Sequence, residues 1–250
     1  MKKMIHFTIL SGLLFLSICS GSVQAQQLTA NQIMRKVDET MNAPKDQDTL
    51  MKVVLIDRNN KEKVREMSLL QKGSERRLVR FLSPADQKGI GFLSLPNDVM
   101  YLYLPAFKKV RRIASHVKNS KFAGTDFTYE DMEARNYSDK LDAQLLKTEN
   151  NMYVLDSKLK PGKTSDYSRT VMWVNTANFY PSRVEMYDKA GRLFKIITME
   201  KVEQVNGYWT SREMTMEDVK AKHKTKMIQM NVKFDSGIPD DKFTERYLSR

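Results

Sequence analysis

Cysteine is almost absent from this 250-residue chain: Cys19 is the only one. A single thiol permits no intramolecular disulfide and leaves a Cys/His zinc cluster without its ligands. Histidine is nearly as scarce, with His6, His116 and His223 far apart in the sequence. There is no HExxH pair, no G-x-S-x-G elbow and no Walker loop, so zinc-protease, α/β-hydrolase and nucleotide-phosphate chemistries lose their usual groups. Gly89-Ile90-Gly91 opens like a dinucleotide fingerprint, but position 94 is serine, and the segment reads instead as a loop in which the backbone bends. Beyond the N-terminus no stretch approaches 18 consecutive apolar residues, so no membrane-spanning helix is predicted there. No low-complexity tract, Ser/Gly linker or internal repeat is visible.

Apolar residues do gather at the N-terminus. Lys2 and Lys3 precede an apolar run from Phe7 to Cys19, and Ser22-Val23-Gln24-Ala25 supplies compact residues at the two positions a signal peptidase reads. The run is short for a bilayer span. Residues 1–25 are therefore expected to be a cleavable signal peptide, and residues 26–250 one exported domain. Ile18 is bulky for the position before a lipid-modified cysteine, so Cys19 is expected to leave with the leader. The formal net charge is +12, of which Lys2 and Lys3 contribute two. Export removes nucleic acid as the natural partner and leaves anionic lipid headgroups or an acidic protein surface.

Two periodicities follow. Thr29 and Gln32 form a capping box, after which Ala30, Ile33, Met34, Val37 and Met41 repeat at helical spacing until Asn42 to Pro44. The pattern then alternates, predicting strands at 49–57, 63–71, 76–82, 90–95, 98–104, 152–159, 168–175, 182–188, 192–203, 208–217 and 224–234. "DRNNK" at 57–61, "DKAG" and "VNG" are turn sequences, and connections this short join antiparallel neighbours. The expected fold is mainly β with a few helices: a large curved antiparallel sheet, forming an incomplete barrel with helical cover over its open side.

One face of that sheet reads as apolar and rich in methionine, a flexible hydrophobe suited to variable apolar ligands. The alternation places Ile228, Met230, Val232 and Phe234 on it, with Gln229, Asn231 and Lys233 on the other side. The expected lining of an apolar cavity is Phe92, Leu102, Leu104, Trp173, Met186, Phe194, Ile196, Met214, Met216, Ile228, Met230 and Val232. Lys108, Lys109, Arg111 and Arg112 follow the strand "YLYLP" directly; they read either as a soluble strand edge or as a basic docking segment. Asp126, Glu130 and Asp131 offer paired carboxylates or a calcium site, but they also suit the first turn of a short helix, which is the favoured reading. A hydrolase would have to start from Ser83, Ser94 or Ser115, and no base is apparent for any of them. No catalytic residue, cofactor or metal is assigned.

The segments "FLSPADQKGIGFLSLP", "YLYLPAFKKVRRI" and "FAGTDFTYEDM", followed by "WVNTANFYPSRVEMYDKAGRLFK", resemble in content and order the LolA-like family of outer-membrane lipoprotein-sorting proteins, over about residues 30 to 247. The likeness is to the broad, mostly uncharacterised branch of that family rather than to its dedicated lipoprotein chaperone. It implies a half-barrel with helices over an apolar cavity, a periplasmic location, and lipid or lipoprotein acyl chains as cargo. It also implies an RND-type inner-membrane transporter as partner, since some relatives work beside such exporters. The energetics agree with a carrier: a 16-carbon chain exposed to water costs on the order of 12 kcal/mol at about 0.8 kcal/mol per CH₂. The alternative on the same scaffold is an envelope sensor that binds a regulatory protein.

Overall fold

The first helix is set by its cap. In the computed structural model, which describes residues 27–250, the Gln32 amide donates to Thr29 Oγ1 and the Thr29 amide donates to Gln32 Oε1 at 2.7 Å. These bonds satisfy otherwise orphaned N–H groups and start α1 at Ala30–Met41. Its apolar stripe buries Ile33, Met34 and Val37 completely. The expected leader, with Cys19 and the cleavage position, lies outside the described residues.

Thirteen strands follow: β1 Asp46–Ile56, β2 Glu62–Lys72, β3 Arg76–Ser83, β4 Gly91–Leu95, β5 Val99–Leu104, β6 Lys109–Arg112, β7 Leu141–Glu149, β8 Met152–Leu159, β9 Arg169–Asn175, β10 Pro181–Tyr187, β11 Leu193–Val205, β12 Tyr208–Asp218 and β13 His223–Phe234. They form one antiparallel sheet in the order β6-β5-β4-β3-β2-β1-β13-β12-β11-β10-β9-β8-β7. Each strand pairs with its sequence neighbour except where β1 meets β13 and where the chain crosses from β6 to β7. The sheet does not close, because β6 and β7 are its two edges. Short α2 (Tyr137–Lys140) and α3 (Glu245–Leu248) complete the α-helices among the described residues.

Two strands escape the sequence pattern. β6 contains the basic cluster itself, so those cations sit on an edge strand rather than beyond a strand's end. β7 is the opposite edge, exposed for most of its length and interrupted by a register shift between Leu145 and Lys147, which erases its alternation. The acidic segment at 126–135 is not a helix start. Thr128 and Asp131 do exchange reciprocal backbone-to-side-chain bonds, but the backbone makes only turns there.

The inner face, against α1, also differs from expectation in three strands. In β9 it carries Thr170, Met172 and Val174, opposite Met186 and Val184 of β10, so Trp173 faces outward. In β11 it carries Lys195, Ile197 and Met199; Ile196 lies outside, opposite Glu185 and Glu217. In β13 a bulge breaks the register with β1 between Asn231 and Gln229. Met227 and Gln229 therefore face inward on one side of the bulge, and Val232 and Phe234 on the other. Ile228 lies opposite Lys52 and Glu213 on the outer face, and Met230 is 58 % exposed. One extra residue in a strand inverts every later side chain.

Two cores result. The main core lies on the inner face and joins α1 to the sheet. A smaller one lies on the outer face, where Leu70, Leu78 and Leu93 meet Ile238, Phe243 and Leu248 of the C-terminal segment. Gly91 makes that docking possible: a Cβ there would stand 2.7 Å from Leu248 Cδ1. The buried Asp46 carboxylate directs the chain into this path by accepting the amides of Ser236, Gly237 and Ile238 at 2.8, 3.0 and 3.0 Å. Asp46→Ala strands these donors, and it is expected to lower unfolding free energy by about 2–4 kcal/mol, read as a lower urea midpoint with faster hydrogen exchange at residues 236–248.

Candidate ligand-binding cavity

Between β6 and β7 the chain runs from Ile113 to Asn136 along the inner face. Its apolar residues anchor it. Phe122 is fully buried, with ring centroids 5.6 Å from both Phe81 and Phe92, and Tyr129 lies 6.0 Å from Phe92. Phe127 and Met132 are buried beside them.

Two ionic groups complete the attachment. Lys195, 1 % exposed, donates from Nζ to Asp126 O at 2.7 Å and to Asp131 Oδ2 at 3.2 Å. Asp131 also accepts from Tyr167 OH at 2.9 Å, and burial together with this carboxylate pushes the Tyr167 phenol well up. The second group centres on Asp126, which has no exposed surface. Its carboxylate meets His223 Nδ1 at 2.6 Å, Thr225 Oγ1 at 2.8 Å and Lys121 Nζ at 3.1 Å, and Lys121 also reaches Asp218 at 3.3 Å. The three acids singled out in the sequence are thus structural partners: Glu130 takes Arg135 at 3.4 Å. Among the described residues no cluster of three or more His, Cys, Asp or Glu side chains could hold a metal.

Beneath this covering segment lies a cavity of about 200 Å³, bounded by the end of α1, by β1–β3 and by β11–β13. Its apolar wall includes Met51, Leu69, Met199, Trp209, Met214 and Met227. A smaller void of about 60 Å³ lies beyond Asp131, Arg135 and Tyr137, against Val184 and Met186. Tyr180, on the wall of the larger cavity, is pushed up to about 12 by burial. Burial also raises Asp38 and Glu133 above the usual carboxylate range. Each of these shifts marks a wall in which new charge is costly.

The residues expected to line the cavity separate into four groups. Met214 does line it, and Val232 faces the same side opposite Thr49. Phe92, Met186 and Met216 are buried on the inner face, with Leu102 packed against them; they form core or, for Met186, the wall of the smaller void. Leu104 lies half-buried at the β5–β6 edge opposite Lys109, and Phe194 sits in a bulge beside Tyr167. Trp173, Ile196, Ile228 and Met230 are on the outer face, and Trp173 stacks under Arg183 at 5.7 Å. The tryptophan at the cavity is Trp209. In β9, β11 and β13 apolar residues stand on both phases, so alternation alone does not identify the inward one. Lys108, Lys109, Arg111 and Arg112 are all exposed on or beside β6, and none of them forms an ion pair among the described residues.

An open antiparallel sheet with a cavity under a covering segment is a carrier-like architecture. Comparison with known proteins agrees. Residues 73–250 match a family model whose description reads "Uncharacterized protein". The chain resembles a candidate outer-membrane lipoprotein-sorting domain from Vibrio parahaemolyticus (26 % identity, TM-score 0.80, covering 88 % of this chain and 98 % of that one). It also resembles a DUF1329 family protein from Desulfovibrio piger (27 % identity, TM-score 0.81, 87 % and 97 % covered). A LolA superfamily protein from Nitrosomonas europaea shares the fold at 23 % identity, with TM-score 0.75 and 88 % and 100 % covered. No curated protein matches the chain. The chain belongs to the matched family, and its fold is the one these LolA-like structures share.

The Lys195–Asp131 pair is testable apart from any ligand. Lys195→Met leaves Asp131 buried with only its neutral donors. It is expected to destabilise the fold by about 3–5 kcal/mol in chemical denaturation, whereas Lys189→Met, at an exposed ion pair, should change it by less than about 1 kcal/mol.

Proposed function

We propose that this protein is a periplasmic carrier that encloses acyl chains of lipids or lipoproteins in the cavity beneath the 113–136 segment. The observation that carries this reading is the methionine- and tryptophan-walled cavity on the inner face, next to a core that is otherwise closely filled. An apolar void of about 150 Å³ admits a benzene ring. A cavity of about 200 Å³ therefore takes the end of an acyl chain, and a whole chain requires the covering segment to move outward. The methionines suit this, since their unbranched side chains re-pack around chains of different shape. Transfer from a bilayer into such a cavity exchanges one apolar surrounding for another, so direction comes from the donor and acceptor, in this reading an RND-type transporter and the outer membrane.

The experiment is lipid analysis of gently purified protein by mass spectrometry, comparing two methionine variants. Met214→Lys places a charge in the cavity wall and is expected to abolish co-purifying lipid, while Met230→Lys, on the exposed outer face, is expected to leave it unchanged. Loss in neither variant, or in both equally, overturns the assignment of the cavity.

The β6 edge supplies the docking surface in this reading. Phe107, 62 % exposed on the turn before β6, projects beside Lys108, Lys109, Arg111 and Arg112. Each cation near an anionic membrane contributes about 1 kcal/mol, screened by salt. Changing all four to Gln is expected to leave thermal stability intact and to weaken binding to phosphatidylglycerol-containing vesicles by a few kcal/mol (roughly 3–4) at low salt, with the difference from wild type shrinking as salt rises. Equal vesicle binding at low salt would reduce the cluster to a solvated edge.

A further inference from the structure

The cavity is apolar along most of its wall, but one end carries a cation with no anion. Arg77, on β3, lines this end together with Gln71 and Thr49. Its Nε and Nη2 both donate to a single neutral oxygen, Gln71 Oε1, at 3.0 and 2.6 Å. Its Nη1 donates to the carbonyls of Met132 and Glu133 at 3.1 and 3.4 Å. Among the described residues it forms no ion pair. Burial pushes its pKa down to about 10, though part of the residue remains exposed.

The other polar groups at this cavity divide sharply. Its carboxylates are already engaged. Asp38 accepts the amides of Tyr137 and Ser138, Asp131 is held by Lys195 and Tyr167, and Glu133 pairs with Arg135 and Lys140. What remains unspent can donate. Thr49 Oγ1 is buried in the wall with no hydrogen-bond partner. A part-buried cation with no ion pair, beside an unpartnered hydroxyl in the same wall, is unfavourable in an empty carrier. A bound anion would pair with the guanidinium. A carboxylate also offers two oxygens to the Nε/Nη2 edge that now shares one amide oxygen.

We propose that the cavity receives a long-chain carboxylate head-first, its anionic head paired with Arg77 and its tail along Met199, Met214 and Met227. This rests on the carrier reading and narrows it: the ligand is an acidic amphiphile whose head is enclosed with its chain.

Isothermal calorimetry on delipidated full-length mature protein, with dodecanoate, dodecanol and dodecyl phosphate below their micellar concentrations, tests it. Wild type is expected to bind dodecanoate at least ~10-fold more tightly than dodecanol. Arg77→Gln should erase that preference, so that dodecanoate binds no more tightly than dodecanol to the same variant, and Arg77→Lys should keep part of it. Equal affinity of wild type for dodecanoate and dodecanol overturns the inference without touching the carrier reading, and needs no variant to fold. Tighter binding of dodecyl phosphate than of dodecanoate overturns the carboxylate assignment in favour of a phosphate head. Failure of all three to bind overturns the carrier reading itself.

Discussion

The attachment of the covering segment to the middle of the sheet rests on a lysine buried where an apolar residue would be expected. Lys195 carries its charge into the inner face at 1 % exposure, and that is tolerable only because Asp131 and the Asp126 carbonyl meet it there. The pair costs desolvation that a hydrophobic contact would not. It ties residues far apart in sequence to one position, and apolar packing alone would let the segment slide. With Asp131 placed, Tyr167 and Thr128 are placed by their bonds to it, and Met132 and Arg135 follow along the cavity wall.

The sheet's two faces solve different problems. On the outer face of β2–β4 the C-terminal segment fills the space tightly, with Leu248 seated on Gly91 and Arg80 Nη2 donating to the carbonyl of Tyr247 at 2.7 Å. On the inner face the filling is unequal. Aromatic stacking of Phe81, Phe92, Phe122 and Tyr129 closes the β3–β5 side, while the β11–β13 side keeps a void among methionines. A close-packed interior leaves few such voids, and this one, bordered by flexible side chains, is the feature on which the proposed ligand site rests.

The open edges bear on the same point. A closed barrel of this size would have no row of free backbone groups, but this sheet ends in β6 and β7. Charge protects β6: three of its four residues are cationic and exposed. The protection against edge-to-edge pairing and the basic surface proposed for docking are therefore the same side chains.

The sequence by itself determined the elements that depend on near neighbours. The capping box fixed α1 because its bonds span three residues, the Asn- and Gly-bearing turns fixed the hairpins, and the resemblance carried by residues 81–132 and 173–195 pointed to the half-barrel. It also marked the methionine-rich strands and the basic cluster. Only the tertiary structure decided which side of β9, β11 and β13 faces inward. In β11 a lysine occupies the inward phase because its partner arrives from residue 131, and in β13 a bulge reverses the phase midway. Trp173 lies on the outer phase of β9, and Trp209 of β12 is the tryptophan that lines the cavity. Arg77 was silent for the same reason. An arginine in a strand looks like any solvated cation until distant segments close over it and leave it without an anion. Period-two patterning encodes that a face is buried; which face, and what lies against it, is set by contacts the pattern does not contain.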